Sequence, residues 1–283
     1  MSRLLARIAA ISLICITTTA NSTDSLVLGI HPYRSHAELR EMFTPMAEYL
    51  GRGYGKPVEV RIGESYESHL NAIIKGEVDL AYIGPALFVQ LTEIYGTPHL
   101  LARLEIDGNP TFSGKIFTKQ GSSIHSLEDL KGSHFAFGNK SSTMSHLVPR
   151  QLLFEAGIDI DDFASHQFFN SHDNVAYAVL AGDADAGAVK EAVFNKYKQK
   201  GLVAVATTSE VSEHLFIAPS GTDPGMVSSL RQQLLNLSVD NAETSKILQP
   251  IKKTATALVS VKDGDYKKLR DIFTALRTRG VVE

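Results

Sequence analysis

The feature that most constrains this chain is a strand–turn–helix alternation that begins near Ser25 and later starts over. Leu26 to Ile30 is a short apolar run ending at His31-Pro32-Tyr33, and Ser35 with Glu38 has the spacing of a capping box. The helix that follows carries Leu39, Met42, Phe43, Met46 and Leu50 on one face; Pro45 should kink it and Gly51, Gly53 and Gly55 should end it. Val58, Val60 and Ile62 alternate as a strand does, Leu70, Ile73 and Ile74 mark a second helix, and Asp79 to Ile83 reads as a buried strand. Gly84-Pro85 then opens another helix with proline at its first position, where a missing N–H costs nothing.

Leu100 to Ile106 reads as a strand leaving this region, and from Asp107-Gly108-Asn109-Pro110 the pattern restarts. Strands are expected at Lys115–Lys119, His134–Phe137, Gln167–Phe169, Ala184–Val189 and Leu202–Ala206. Between them fall helices from Ser126, over Ser145–Ala156, over Asp173–Leu180 and up to Lys198. A strand at Leu215–Ala218 and helices within Met226–Leu237, Asn241–Leu248 and Tyr266–Leu276 complete the chain. Such alternation implies an α/β protein with mostly parallel sheets and helices on both faces. At 283 residues it fits two lobes: residues 21–106, residues 107–207, and a return of 208–283 to the first. Two crossings between lobes are the wiring of a hinged cleft.

The N-terminus reads as a secretory signal: Arg3 and Arg7 with no acid, an apolar run from Ile8 to Ile16, and Thr18 and Ala20 as the small residues of a cleavage site. The run is too short for a membrane span, which needs about 20 residues. The single cysteine, Cys15, lies inside the signal, and Ile14 before it is bulkier than a lipid-attachment site wants. Cleavage after Ala20 leaves 26 basic against 31 acidic residues, a net of −5, and no thiol for disulfides, catalysis or thiolate metal sites. An acidic balance without a basic cluster excludes a sequence-independent grip on nucleic acid. The core is large enough to stand without a metal or cofactor, and none is expected.

Enzyme and metal signatures fail on spacing. Gly51 to Lys56 is one residue short of a phosphate-binding loop, and Pro57 stands where a Ser or Thr would hold magnesium. No Gly-x-Ser-x-Gly turn occurs, and Gly182 to Gly187 lacks the length and terminal Glu of a calcium loop. His31 with His36, and His166 with His172, lack the spacing of paired ligands on a helix face, and solvated or locally hydrogen-bonded imidazoles are expected.

Four strand-to-helix junctions hold better candidates. Gly138 to Ser145 places Ser141, Ser142 and Thr143 beside the free N–H groups and positive dipole end of a helix, fit for an oxyanion or simply for capping. Asn170 to Asp173 adds His172 at a second helix start, while Tyr33 and Tyr82 stand at carboxyl ends of strands, where open α/β sheets gather ligands.

These residues carry a resemblance. Gly29 to Arg34, Ala47 to Leu50, Gly76 to Pro85, Ser141 to Pro149 and Asp185 to Lys190 resemble the periplasmic substrate-binding proteins of phosphate, phosphite and phosphonate ABC transporters. The resemblance implies a two-lobe type II binding protein that closes by hinge motion on a small phosphorus oxyanion or organophosphonate and serves an ABC permease in the inner membrane. It implies that Tyr33 and Tyr82 offer phenol donors, that Ser141, Ser142 and Thr143 grip phosphoryl oxygens, and that His172 adds a further donor. Neutral donors suffice, because hydrogen bonds to a charged acceptor are roughly twice as strong as neutral ones. At the substituent end Glu191 suits an ammonium, whereas Lys190 points to a tail with extra negative charge or none. Another cargo such as a sulfonate, input to a sensor kinase, and a hydrolase using His172 with a nearby serine stay open on the sequence.

Overall fold

The computed structural model describes residues 25–282, so the signal read at residues 1–20, with Cys15, lies outside the described residues. The first half of the first sheet follows from local sequence. β1 (Leu26–Ile30), α1 (His36–Tyr54), β2 (Val58–Ile62), α2 (Tyr66–Ile74), β3 (Leu80–Ile83) and α3 (Pro85–Ile94) succeed one another, and β4 (His99–Ile106) leads away. The capping box at Ser35 and Glu38 is present, and Leu39, Phe43, Met46, Ala47 and Leu50 form the buried stripe of α1. The helix runs on through Pro45, Gly51 and Gly53 and stops only at Gly55, whose φ of 78° is the left-handed cap that a residue without Cβ adopts freely. Gly53 serves packing instead, since a Cβ there would stand 2.1 Å from the Gln233 amide oxygen.

The chain crosses to the second sheet through β5 (Thr111–Phe112). There it builds β6 (Gly114–Lys119), β7 (His134–Phe137), α4 (Val148–Glu155), β8 (Ser165–Phe168), α5 (His172–Ala181), β9 (Ala186–Lys190), α6 (Glu191–Lys198) and β10 (Leu202–Thr207). It returns through β11 (Val211–Ser212) to β12 (Leu215–Ala218), α7 (Pro224–Leu235), α8 (Thr244–Leu248), β13 (Ala255–Val259) and α9 (Lys267–Arg277). The helix expected from Ser126 is a single 3-10 turn, Glu128–Leu130.

The first sheet has the order β13-β4-β12-β3-β1-β2 and the second β10-β6-β9-β7-β8, with β5 and β11 paired antiparallel as a two-stranded ribbon between them. This is the two-lobe α/β class, but the expectation of mostly parallel sheets is corrected. β1 runs parallel to β2 and β3, and β7 parallel to β8 and β9, whereas β12, β4, β13, β6 and β10 all join through antiparallel pairs. The parallel blocks come from strand–helix–strand units, whose crossover helices enforce direction. The strands β4, β6, β10 and β12 carry the chain to or from the ribbon and escape that rule.

The first lobe has one apolar core, and the second has one on each face of its sheet. Met144, Leu147 and Val148, which follow β7, pack into the core of the first lobe. The two lobes therefore share an apolar seam beside the strand ends that carry the candidate residues.

Candidate functional site

Each lobe turns strand ends toward the other. After β1 the chain makes a tight turn in which the Tyr33 N–H donates to the His31 carbonyl at 3.0 Å. After β3, Gly84 caps α3 and Pro85 begins it, leaving the Ala86 N–H free of the helix ladder. That N–H donates across the cleft to the Thr143 hydroxyl at 3.1 Å, tying the start of α3 to the turn after β7.

The turn after β7 differs from the expected regular helix start. Thr143–Leu147 is a single wide π-turn ahead of α4, with Ser142 as its cap, accepting from the Ser145 N–H at 3.2 Å. The Gly138 N–H donates to the Ser145 carbonyl at 2.9 Å. A Cβ on Gly138 would stand 2.5 Å from the Ser145 hydroxyl, so only glycine lets the strand end approach this closely. α5 opens beside it with Ser171 as cap and His172 as its first residue.

Six of the eight residues singled out from sequence, Tyr33, Ser141, Ser142, Thr143, His172 and Lys190, line one small inner pocket between the strand ends, called the enclosed pocket below. Tyr82 and Glu191 line the broad cleft outside it. The Tyr82 ring is stacked against His214 at 5.4 Å, and His214 is the group that reaches the enclosed pocket from that side. Glu191 is engaged by the Ser113 hydroxyl at 2.8 Å and the Lys115 ammonium at 3.1 Å.

Sequence reasoning passed over His31, Tyr66, Phe112, Met144 and His214, which also line the pocket. His31 was expected among solvated or locally bonded imidazoles; it is only 2 % exposed. It is hydrogen-bonded through Nδ1 to the Tyr82 carbonyl at 3.3 Å. Its position in the quoted Gly29-to-Arg34 stretch was the available signal. Tyr66 and His214 carry none, because they arrive from a helix start and from the end of the β5–β11 ribbon, distant in sequence.

The hydrogen-bond pattern fixes which way the polar groups point. The Lys190 backbone N–H donates to His172 Nδ1 at 3.1 Å, so the neutral ring carries its proton on Nε2. That Nε2 lies 3.3 Å from the Ser142 hydroxyl oxygen. Ser142 Oγ thus accepts from His172 and from the Ser145 N–H, and its own hydrogen is left to donate into the pocket. Thr143, accepting from Ala86, is in the same condition. Burial, reinforced by Lys190 and His214, holds His172 well below the ordinary histidine range, and burial pushes the phenols of Tyr33 and Tyr66 up, so these groups remain uncharged donors.

One cation joins them. Lys190 Nζ lies 4.6 Å from the centroid of the Tyr33 ring. Burial, with Lys252 and Arg34 nearby, lowers its pKa from the usual lysine range to about 7. Burial pushes the Glu213 carboxyl up, but His214 beside it, bonded through Nδ1 at 2.5 Å, outweighs this and holds it at about 2. Among the described residues no group of three or more His, Cys, Asp or Glu side chains is placed to hold a metal ion. The helix starts of α3 and α5 and the turn at Ser142 converge on the pocket with neutral donors around it, an arrangement that suits a compact, multiply oxygenated anion.

Comparison with known proteins gives the family. The sequence profile described as "ABC transporter, phosphonate, periplasmic substrate-binding protein" matches residues 28–266. The phosphate-import protein PhnD of Mycolicibacterium smegmatis is 24 % identical, with 90 % of this chain and 87 % of that protein covered. The probable ABC transporter phosphite binding protein PhnD1 of Prochlorococcus marinus is 22 % identical, with 87 % of this chain and 88 % of that protein covered. The solved structure of that PhnD1 with methylphosphonate superposes with a TM-score of 0.80 over 91 % of this chain and 99 % of its own. With the match running from β1 to the residue before α9, this chain belongs to the family of periplasmic substrate-binding proteins of phosphonate ABC transporters.

Proposed function

We propose that this protein is exported, with cleavage near Ala20, captures a small phosphonate, phosphite or phosphate in the enclosed pocket, and presents it to an ABC permease in the inner membrane. The lobes would be residues 21–106 with 208–283, and residues 107–207, and the β5–β11 ribbon would be the hinge. The observation that carries the reading is the convergence of Ser142, Thr143 and His172 on one pocket, where the hydroxyl hydrogens of Ser142 and Thr143 are not used by the protein and the His172 Nε2–H turns the Ser142 hydrogen toward the space between them. Phosphoryl oxygens can meet both hydroxyls, and the charge of the anion strengthens each of those bonds.

The same pattern supports capture without chemistry. A serine beside a histidine suggests a nucleophile and its base, but a base needs a bare Nε2. Here Nδ1 is the bare nitrogen, because a backbone N–H occupies it where a hydrolase would place a carboxylate. Titration calorimetry on the protein purified from the periplasm tests the assignment. Phosphate, phosphite or methylphosphonate should bind with a Kd of about 10 μM or tighter, and no heat from any of them would overturn it. A coupled assay with phosphate esters should show no turnover.

A further inference from the structure

The enclosed pocket opens into the broad cleft through a throat formed by Tyr33, Phe112, Lys190 and His214, the residues common to both. Any substituent on a phosphoryl group held inside must leave past the Lys190 ammonium. Charges around this exit are unevenly engaged. The cleft acids are Glu38, Glu41, Asp107, Glu191, Glu210 and Glu213; of these Glu213 is bonded to the His214 ring at 2.5 Å and to its backbone N–H at 2.7 Å, and Glu210 accepts from the Thr111 hydroxyl at 2.8 Å. Glu191 is held by Ser113 and Lys115, and Glu38 by Ser35 and Arg34. Asp173, behind the pocket, accepts from Lys196 and Tyr197 at 2.7 Å each.

The cations are not matched in this way. Lys190 and Lys252 have no carboxylate within ion-pairing distance among the described residues, and Lys190 rests only on the Tyr33 ring. Arg34 keeps a buried Nε with no hydrogen-bond partner, and its one ion pair, to Glu38, is a loose 3.6 Å. The three cations repel one another strongly enough that Lys252 and Arg34 both help to push the Lys190 proton off. Arg34, Lys190 and Lys252 gather at the mouth of the pocket with Glu38, Glu191 and Glu213 bonded elsewhere, and Asp107 is the cleft acid left facing Lys252, so the Lys190 end of the cluster forms an anion site in waiting.

On the reading that the phosphoryl group occupies the enclosed pocket, we propose that Lys190, with Arg34 and Lys252 beyond it, forms a subsite for an anionic tail, so that the preferred organophosphonates carry a carboxylate on their substituent and those with an ammonium are rejected. Selection works in both directions: a tail carboxylate relieves the cation repulsion, and a tail ammonium adds a fourth positive charge where Glu191 and Glu213 are already bonded.

Calorimetry with three probes that share a phosphonate and differ in the tail tests this. Phosphonoacetate should bind at least tenfold more tightly than methylphosphonate, and 2-aminoethylphosphonate at least tenfold more weakly. In Lys190→Met the ratio of phosphonoacetate to methylphosphonate affinity should fall at least tenfold, and in Lys252→Met by a smaller factor. Binding of methylphosphonate with equal or better binding of 2-aminoethylphosphonate, or an unchanged ratio in both variants, overturns the anion subsite and leaves the phosphoryl pocket standing. Failure of all three probes and of phosphate overturns the pocket assignment and the subsite with it.

Discussion

His172 Nδ1 accepts the backbone N–H of Lys190 at 3.1 Å, and this bond decides what the imbedded imidazole can do. With that nitrogen occupied, and with burial opposing a second proton, the ring presents Nε2–H to Ser142 as a donor and so leaves the serine's own hydrogen for the pocket.

Removing these donors should weaken capture without unfolding the protein. Each of Ser142→Ala and His172→Ala should raise the Kd for the best phosphorus ligand about ten- to a hundredfold, the range of a hydrogen bond to a charged partner. His172→Gln, which keeps an N–H in reach, should lose less than His172→Ala. Calorimetry beside thermal melting checks both the loss and the retained fold.

Lys190 should cost the empty protein stability. Its folded pKa of about 7 lies below the unfolded lysine value, so the penalty is complete below pH 7 and shrinks as pH rises toward 10. The groups that set it are burial, then Lys252 and Arg34, opposed by Glu213 and Asp173. Lys190→Met should therefore melt a few degrees higher than the native protein at pH 6, with the gap narrowing at pH 9. A gap that does not depend on pH would contradict this.

Much of the fold is legible along the chain because each strand–helix unit carries its own local signals. Ser35 with Glu38 starts α1, Gly84-Pro85 starts α3, and alternating Val58, Val60 and Ile62 make β2. What escaped is what distant partners decide. β13, Ala255–Val259, is built largely of small residues and is a strand because it pairs with β4 some 150 positions earlier. The direction of β12 depends on its delivery from the ribbon, which no local pattern records. At the site, the loops after β1, β7 and β8 announce themselves by hydroxyls and rings beside helix starts. His214 is meaningful only once the β5–β11 ribbon brings it against His31, at 5.5 Å between ring centres.

Acid should destabilise the protein well before its carboxylates titrate. Burial holds His69 at about 3 and His146 at about 4, and holds His31 and His172 well below the usual range. The unfolded chain takes up these protons near pH 6.5 and the folded one refuses them, so stability is full above that pH and falls steadily as pH drops toward 4. Urea midpoints measured from pH 7.5 to 4.5 should decline throughout the lower part of the range. A flat profile would show that these imidazoles are not buried as described.

The bond from the Ala86 N–H to the Thr143 hydroxyl is a polar link between the two lobes at the pocket. Thr143→Val keeps the shape and removes both the acceptor for the Ala86 N–H, at a cost of about 1–3 kcal/mol, and the hydroxyl hydrogen offered to the ligand. Ligand affinity should fall about five- to a hundredfold, and the radius of gyration at saturating ligand should move toward that of the open form in small-angle scattering.

The most direct test is a crystal structure of the protein soaked or grown with methylphosphonate. Phosphoryl oxygens should lie within about 3.2 Å of Ser142 Oγ and Thr143 Oγ1, with His172 Nε2 still against Ser142 and the methyl group turned toward Lys190. A phosphonate bound only in the outer cleft, with the Ser142 and Thr143 hydroxyls making no contact to it, would contradict this.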